Sequence, residues 1–160
     1  MRIKNIATED FINYKEPSMF ISSCFCSWKC CTEQGLDIGV CQNAPLAQAE
    51  IVDIPDDTIY ELFVNNPISQ AVVIGGLEPM IQANEVISLI DYFRENGQDC
   101  PFVIYTGYCP NEIPKEIGLL KQYSNVIVKF GRYIPNAKSK YDEVLGVTLA
   151  SDNQYAEKIS

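Results

Sequence analysis

The sequence predicts an α/β fold, a partial parallel β/α barrel or an open parallel sheet, as a single compact domain over residues 1–160. Three observations predict it. Strand-like and helix-like stretches alternate along the chain. The strand-like stretches, such as Gln70-Ala-Val-Val-Ile74 and Phe102-Val-Ile-Tyr105, are short unbroken apolar runs, the pattern of strands covered on both faces. Several of them run straight into glycine (Gly75-Gly76, Gly107, Gly131), which allows a sharp turn out of a strand end.

The elements follow in order. Residues 1–16 are mixed and polar, with no clear period, and Glu16-Pro17 breaks into a first strand at about 18–23. Pro45 to Ile51 reads as a short helix. Asp56-Asp57-Thr58 offers caps for a helix that turns Ile59, Leu62 and Phe63 to one face. After the strand at 70–74, Val86, Leu89, Ile90 and Phe93 form a helical stripe between Pro79 and Asn96, stopped by Gly97. Phe102–Tyr105 is the next strand. Pro114 then sits in the first turn of a helix with Ile113, Ile117 and Leu120 inward. A strand from Asn125 to Phe130 ends at Gly131, and a short one is expected around Val144–Leu149, before a polar tail.

Composition narrows the function. With 160 residues and 47% hydrophobic content the chain can bury a proper core. No stretch approaches the roughly 18 apolar residues of a membrane span, and Met1-Arg2-Ile3-Lys4 is not followed by a signal-peptide apolar region. Both point to the cytoplasm and away from a membrane. Thiols stay reduced there, and the odd count of seven cysteines agrees that a disulfide framework is not their use. A formal charge of −9 argues against nucleic acid as a partner. The chain has no histidine, which removes Cys/His zinc sites, Ser-His triads and Cys-His nucleophile pairs together. Sulfur, with carboxylate, is what remains for metal chemistry.

Five of the seven cysteines lie in one stretch after the first strand: Cys24, Cys26, Cys30, Cys31 and Cys41. Cysteines this dense pair, bind a metal ion or hold an iron–sulfur cluster. Two further unusual segments also follow strands, Gly75-Gly76-Leu77-Glu78-Pro79 and Tyr105-Thr106-Gly107-Tyr108. In parallel α/β folds the carboxyl ends of the strands share one edge, and ligands bind there. Three unusual loops on one edge make one site.

These motifs carry a resemblance over nearly the whole chain. Cys26-Ser-Trp-Lys-Cys30, Cys41-Gln-Asn43, the Gly75–Pro79 turn, Tyr105-Thr106-Gly107-Tyr108, Gly131-Arg-Tyr-Ile134 and Ser151-Asp-Asn-Gln154 together resemble the radical S-adenosylmethionine superfamily. Within it they are most similar to the activating enzymes of anaerobic ribonucleotide reductases. Two departures stand out: ten residues separate Cys30 from Cys41, more than the family's usual spacing, and Leu77 is inserted in the Gly-Gly-Glu-Pro turn. A longer loop between ligands is tolerable, because closure entropy grows only with the logarithm of length.

The resemblance implies a radical-enzyme core fold and two cofactors, a 4Fe-4S cluster and S-adenosylmethionine. Three thiolates hold such a cluster and leave one iron open to the substrate. The adjacency of Cys30 and Cys31, and the opposite sides Cys24 and Cys26 would take on an extended strand, favour Cys26, Cys30 and Cys41 as ligands. Cys24 or Cys31 is the replacement to consider. The resemblance further implies Gly75, Gly76, Glu78, Tyr105, Val40 and Asn153 as contacts to S-adenosylmethionine. It implies a glycyl-radical enzyme as partner, the large subunit of an anaerobic ribonucleotide reductase, and an electron donor such as flavodoxin or ferredoxin.

Plainer readings stand beside these. Cys24, Cys26, Cys30 and Cys41 supply enough sulfur for a zinc site in a non-catalytic Cys-rich module, although paired Cys-x₂-Cys knuckles are missing. A small-molecule radical enzyme similar to 7-carboxy-7-deazaguanine synthases is the alternative within the superfamily. Gly75-Gly76 alone is also a tight turn. Glu78 alone is also a solvated first-turn carboxylate favoured by a helix dipole. Tyr105 suits a core, Tyr108 a surface, and Asn153 with Gln154 a polar tail. Cys100 and Cys109 are expected to be ordinary buried thiols.

Overall fold

A computed structural model describes residues 1–160. In chain order it contains β1 (Arg2–Ile3), β2 (Asn5–Asp10), β3 (Ser18–Ser22), α1 (Lys29–Thr32), α2 (Ala44–Ala47), β4 (Val52–Asp53), α3 (Asp56–Val64) and β5 (Ala71–Gly75). There follow α4 (Ala83–Glu95), β6 (Phe102–Tyr105), α5 (Pro114–Leu120), β7 (Val126–Phe130), β8 (Lys140–Asp142), β9 (Val147–Leu149) and β10 (Tyr155–Lys158). The main sheet has six strands in the order β10-β7-β6-β5-β3-β2. Its four central strands are parallel and its two edges antiparallel. β2 and β10 do not pair with each other, so the hydrogen bonding leaves the sheet open. No helix is long and apolar enough to cross a membrane.

The pleat sorts the side chains to two faces. Val72, Ile74, Phe102, Ile104, Val126 and Val128 point to the face covered by α3, α4 and α5. There Phe93 of α4 meets the rings of Tyr60, Phe63 and Phe102 at centroid distances of 5.2, 5.4 and 5.1 Å. Val73, Val103 and Ile127 point the other way, against Tyr14, Leu145 and Leu149. We call this second side the inner face.

Five expectations need correction. Residues 1–16 contain two strands, and the polar tail contains a third, β10, paired with β7 through Tyr155–Lys158. Edge strands bury little, so β2 and β10 lack a strong apolar alternation. Leu62 does not join Ile59 and Phe63 inside; it is 41% exposed, because α3 lays only a narrow stripe on α4. Pro55 occupies the cap position of α3. Asp56 lies inside the first turn and accepts from the Met1 amino group at 3.2 Å and from Ser88 Oγ at 2.8 Å. The strand around Val144–Leu149 starts only at Val147, since Val144-Leu145-Gly146 forms the turn from β8. Asp142 Oδ1 accepts from Leu145 N at 3.0 Å there, and Gly146 takes φ +72°.

Candidate metal centre

Ser22 ends β3, and the next residues bind the cysteine loop to the neighbouring strand end. Ser23 N and Oγ both donate to Gly75 O, at 2.8 and 2.9 Å. Phe25 O accepts from Glu78 N at 2.7 Å. Further on, Asn43 Nδ2 donates to Gly76 O at 2.6 Å. Asn43 therefore ties the end of the loop, two residues after Cys41, to the glycine turn. The sequence reading singled out Cys41-Gln-Asn43 as a motif but assigned the amide no contact.

Within the loop, Trp28 takes φ +58°, a left-handed conformation that turns the chain abruptly into α1. The same turn points Trp28 N at Cys26 Sγ, 3.3 Å away. Cys31 is buried inside the loop, and Cys30 Sγ lies 3.9 Å from Cys31 Sγ. All seven cysteines are free thiols. Cys26, Cys30 and Cys41 are each half-buried.

The electrostatics divide the cysteines into two groups. Burial pushes the Cys26 thiol up, and Cys41 and Cys31 push it further. The Cys30 thiol is pushed up to about 12 by burial, then by Cys31, Cys41 and Cys26. Thiolates facing one another repel, so cations that share Cys26 and Cys30 displace protons from them on binding. Cys24 is elsewhere. Its thiol is raised by burial, and the charges that act on it are Lys4, Glu85, Arg2 and Asp53. Cys26, Cys30, Cys31 and Cys41 thus act electrostatically on one another, whereas Cys24 is buried apart with its N–H on Gln82 Oε1 at 2.8 Å. Cys100 is buried, and burial raises its thiol to about 12. Cys109 is exposed, contrary to expectation, because it begins a short turn after β6 where its backbone N–H donates to Glu112 Oε2 at 2.8 Å.

No three Cys, Asp or Glu side chains are gathered closely enough to hold a single metal ion. A 4Fe-4S cluster asks for a wider arrangement, because its thiolates bind separate irons. Half-buried free thiols on one loop, with a backbone N–H aimed at one sulfur, fit that donor set; hydrogen bonds to sulfur are among the protein's means of tuning such clusters.

Glu78 is not a solvated first-turn carboxylate. It is 6% exposed, and it accepts from Thr106 Oγ1 at 2.7 Å, Gly107 N at 2.8 Å and Met80 N at 3.0 Å. Burial raises its carboxyl and these donors oppose the rise. Glu78 therefore joins the loop after β5 to the loop after β6. Glu78→Gln should lower stability by about 1–3 kcal/mol, since an amide N–H₂ would face one of these donors and leave it unpaired. The shift of the denaturation midpoint reads this. A change under about 0.5 kcal/mol would mean that the carboxylate is not the link described.

The remaining candidates fall as follows. Tyr105 lies on the inner face, and its hydroxyl donates to Asn13 O at 2.5 Å. Val40 is 45% exposed, in a single helical turn at Ile38–Val40 just before Cys41. Asn153 Nδ2 donates to Arg132 O at 2.9 Å, which holds the segment after β7. Gly76 takes φ +79°, and a Cβ there would lie 2.8 Å from Leu46 Cδ2. A Cβ on Gly75 would press on Tyr105 Cβ at 3.2 Å. Gly76 is thus favoured by its positive φ, and a side chain at either glycine needs its neighbours to shift.

Two groups were missed. Arg132 makes a paired contact with Glu112, 2.7 Å at each nitrogen, and also bonds Glu33 at 2.9 Å and Gly107 O at 3.0 Å. Lys29 Nζ reaches Glu112 at 3.0 Å, and Ser27 Oγ lies 3.2 Å from Tyr108 OH. This network fastens the cysteine loop to the segments after β6 and β7, and Tyr108 belongs to it. Its carboxylate centre, Glu112, is held well below the usual range by hydrogen bonds from Arg132 and the Cys109 backbone. The other missed group is Lys129, a charged residue inside an otherwise apolar strand run, which was itself the signal.

A family model described as "4Fe-4S single cluster domain" matches residues 17–155. No curated protein and no solved structure matches the chain. The matched segment spans the whole cysteine loop and every central strand of the sheet. The chain belongs to the 4Fe-4S single cluster domain family and is an iron–sulfur protein.

Proposed function

We propose that this iron–sulfur protein is a radical S-adenosylmethionine enzyme, an activase that places a glycyl radical on a partner, namely the large subunit of an anaerobic ribonucleotide reductase. In the same reading the open sheet is the partial β/α barrel of that superfamily, in one domain working in an anaerobic cytoplasm. The cluster, when bound, supplies one electron that splits a carbon–sulfur bond of S-adenosylmethionine, giving methionine and a 5′-deoxyadenosyl radical. That radical takes a hydrogen atom from a glycine and leaves as 5′-deoxyadenosine. An external one-electron donor, flavodoxin or ferredoxin, restores the electron.

One observation carries the reading. The cysteine loop is hydrogen-bonded directly to the glycine turn at both of its ends, through Phe25 O with Glu78 N and through Asn43 with Gly76 O. Thiols that hold a cluster and backbone suited to a methionine moiety therefore share one small region. Cys26, Cys30 and Cys41 hold the metal, and Glu78 fixes the two loops on either side. Glu78 Oε2 accepts only from Gly107 N, so it keeps a lone pair for a ligand amino group. In this reading Val40, in the helical turn just before Cys41, Asn153, held to Arg132 O, and Tyr105, at the end of β6, contact the cofactor. The chain's acidity favours a partner patch with basic residues, and so a salt-dependent association.

The test mixes reduced protein, S-adenosylmethionine and the candidate large subunit without oxygen. A glycyl-radical EPR doublet on the large subunit is expected, with 5′-deoxyadenosine released in proportion. Cluster-loaded protein that releases no 5′-deoxyadenosine would reject the radical reading. Turnover of the cofactor with loss of a small pterin-like metabolite, and no doublet, would transfer the assignment to a synthase of the 7-carboxy-7-deazaguanine type.

A further inference from the structure

Lys129 is the only lysine or arginine among the buried residues, at 6% exposure. It is the fourth residue of β7, whose other members Val126, Ile127, Val128 and Phe130 are all buried and apolar. Like Ile127 it points to the inner face, where its ammonium lies 5.9 Å from the ring centre of Tyr105. Nζ donates to Gly131 O at 3.1 Å, one of the three hydrogen bonds an ammonium can make. No carboxylate lies within ion-pair distance of it. Glu78 accepts from Thr106, Gly107 and Met80 and forms neither a hydrogen bond nor an ion pair with Lys129.

A cation placed in this way works against folding. Burial without an ion pair is costly, and the strand offers a place for a methionine or leucine instead. The ammonium's pKa is lowered to about 8 by burial, against the opposing pull of Glu78 and Cys30. Hydrogen bonds tie this end of β7 to the cysteine loop: Lys129 O accepts from Thr106 N at 2.9 Å, Thr106 Oγ1 donates to Glu78 at 2.7 Å, and Glu78 N donates to Phe25 O, one residue before Cys26. Gln34 Nε2 donates both to Cys30 O and to Tyr133 O, two residues beyond Gly131. When the cluster is held, the thiolates of Cys26, Cys30 and Cys41 bring negative charge to this side of the sheet. The entry of one electron adds another unit.

We propose that Lys129 is a positioning residue for the iron–sulfur cluster: its buried ammonium, fixed by Gly131 O and the Tyr105 ring, offsets the thiolate charge of the cysteine loop and makes one-electron reduction easier. The inference rests on Cys26, Cys30 and Cys41 holding the cluster. The electron comes from an external low-potential one-electron donor, which is oxidised; Lys129 keeps its proton, and no bond is made or broken. Reduction potentials of such clusters follow net charge and solvent exposure, so removal of a nearby buried cation lowers them.

The experiment is an EPR redox titration of reconstituted protein without S-adenosylmethionine, with dithionite as reductant. Lys129→Met should load iron as the wild type does yet be about tenfold harder to reduce at a fixed potential, a downward shift of about 59 mV for one electron. Lys129→Arg should return the midpoint toward wild type, because it restores the charge. Lys129→Gln makes the same neutral change with a polar tip, and decides the matter if Lys129→Met does not fold. A fully loaded neutral variant with the wild-type midpoint overturns the inference. So does a variant that loses iron in part while the remaining clusters keep that midpoint, since that is a purely structural role. Failure of the wild type itself to take up iron would instead reject the ligand assignment.

Discussion

Alanine at Cys26, Cys30 or Cys41 should each abolish the iron–sulfur absorbance and EPR signal of anaerobically reconstituted protein. Cys24→Ala, Cys100→Ala and Cys109→Ala should keep both. A cluster held by three thiolates has no spare ligand, so one deletion removes a third of its attachment and exposes an iron to solvent. Cys24 is expected to be dispensable because it is 5% exposed and turned toward the helix side of the loop, its N–H donating to Gln82 Oε1 at 2.8 Å. Cys100 is held at the far side of the molecule, near Arg94, whose Nη2 donates to Cys100 O at 3.0 Å. Cys31 is the discriminating position. It belongs to the thiol group and is 2% exposed, with its sulfur 3.9 Å from that of Cys30. Cys31→Ala should retain the cluster with lower thermal stability. Loss of the cluster in Cys31→Ala, together with its survival in Cys30→Ala, would exchange the roles of these two neighbours. Stoichiometric zinc without iron uptake in the wild type would point to a zinc module instead.

The parts of the fold that could be read in the sequence are those buried on both faces. β5 and β6 are continuous apolar runs, β7 is one broken only by Lys129, and Val86, Leu89, Ile90 and Phe93 keep a helical period because α4 lies flat on the sheet. β2 and β10 were not legible, since an edge strand is recognised by its partner's backbone and not by its own side chains. At the site, cysteine clustering and glycine turns were visible as composition. The bonds between them were not. Nothing local to Asn43 points to Gly76 O, and nothing local to Glu78 tells that Thr106 and Gly107 enclose it. Glu78 illustrates the limit: a carboxylate beside a proline looks like a helix start, and only the neighbouring strand end turns it into a buried link. Lys129 was the reverse case, a charge in the middle of an apolar run whose meaning depends on what lies across the sheet from it.

Gly76→Val should eliminate S-adenosylmethionine binding and also reduce cluster loading several-fold. The structure supplies both halves of that expectation. At φ +79° a β-branched residue is strained whatever the space, at a cost of about 1–3 kcal/mol. Its Cβ would lie 2.8 Å from Leu46 Cδ2 and 3.4 Å from Ser22 Cβ. Leu46 belongs to α2, the short helix that begins three residues after Cys41, and Asn43 of the same segment donates to Gly76 O. Pressure on Leu46 reaches the part of the loop that carries Cys41 when its side chain cannot swing aside. Leu46→Ala separates the two effects. In the double variant Gly76→Val, Leu46→Ala the clash with α2 is relieved, and cluster loading should recover toward that of Leu46→Ala alone. The altered turn remains, so S-adenosylmethionine binding should stay lost, as equilibrium dialysis or the change in the cluster's EPR spectrum on adding cofactor would show. Normal cofactor binding by the double variant would move that site away from the glycine turn. Failure of cluster loading to recover would show that Gly76 acts on the cysteine loop through its carbonyl and Asn43, rather than through Leu46.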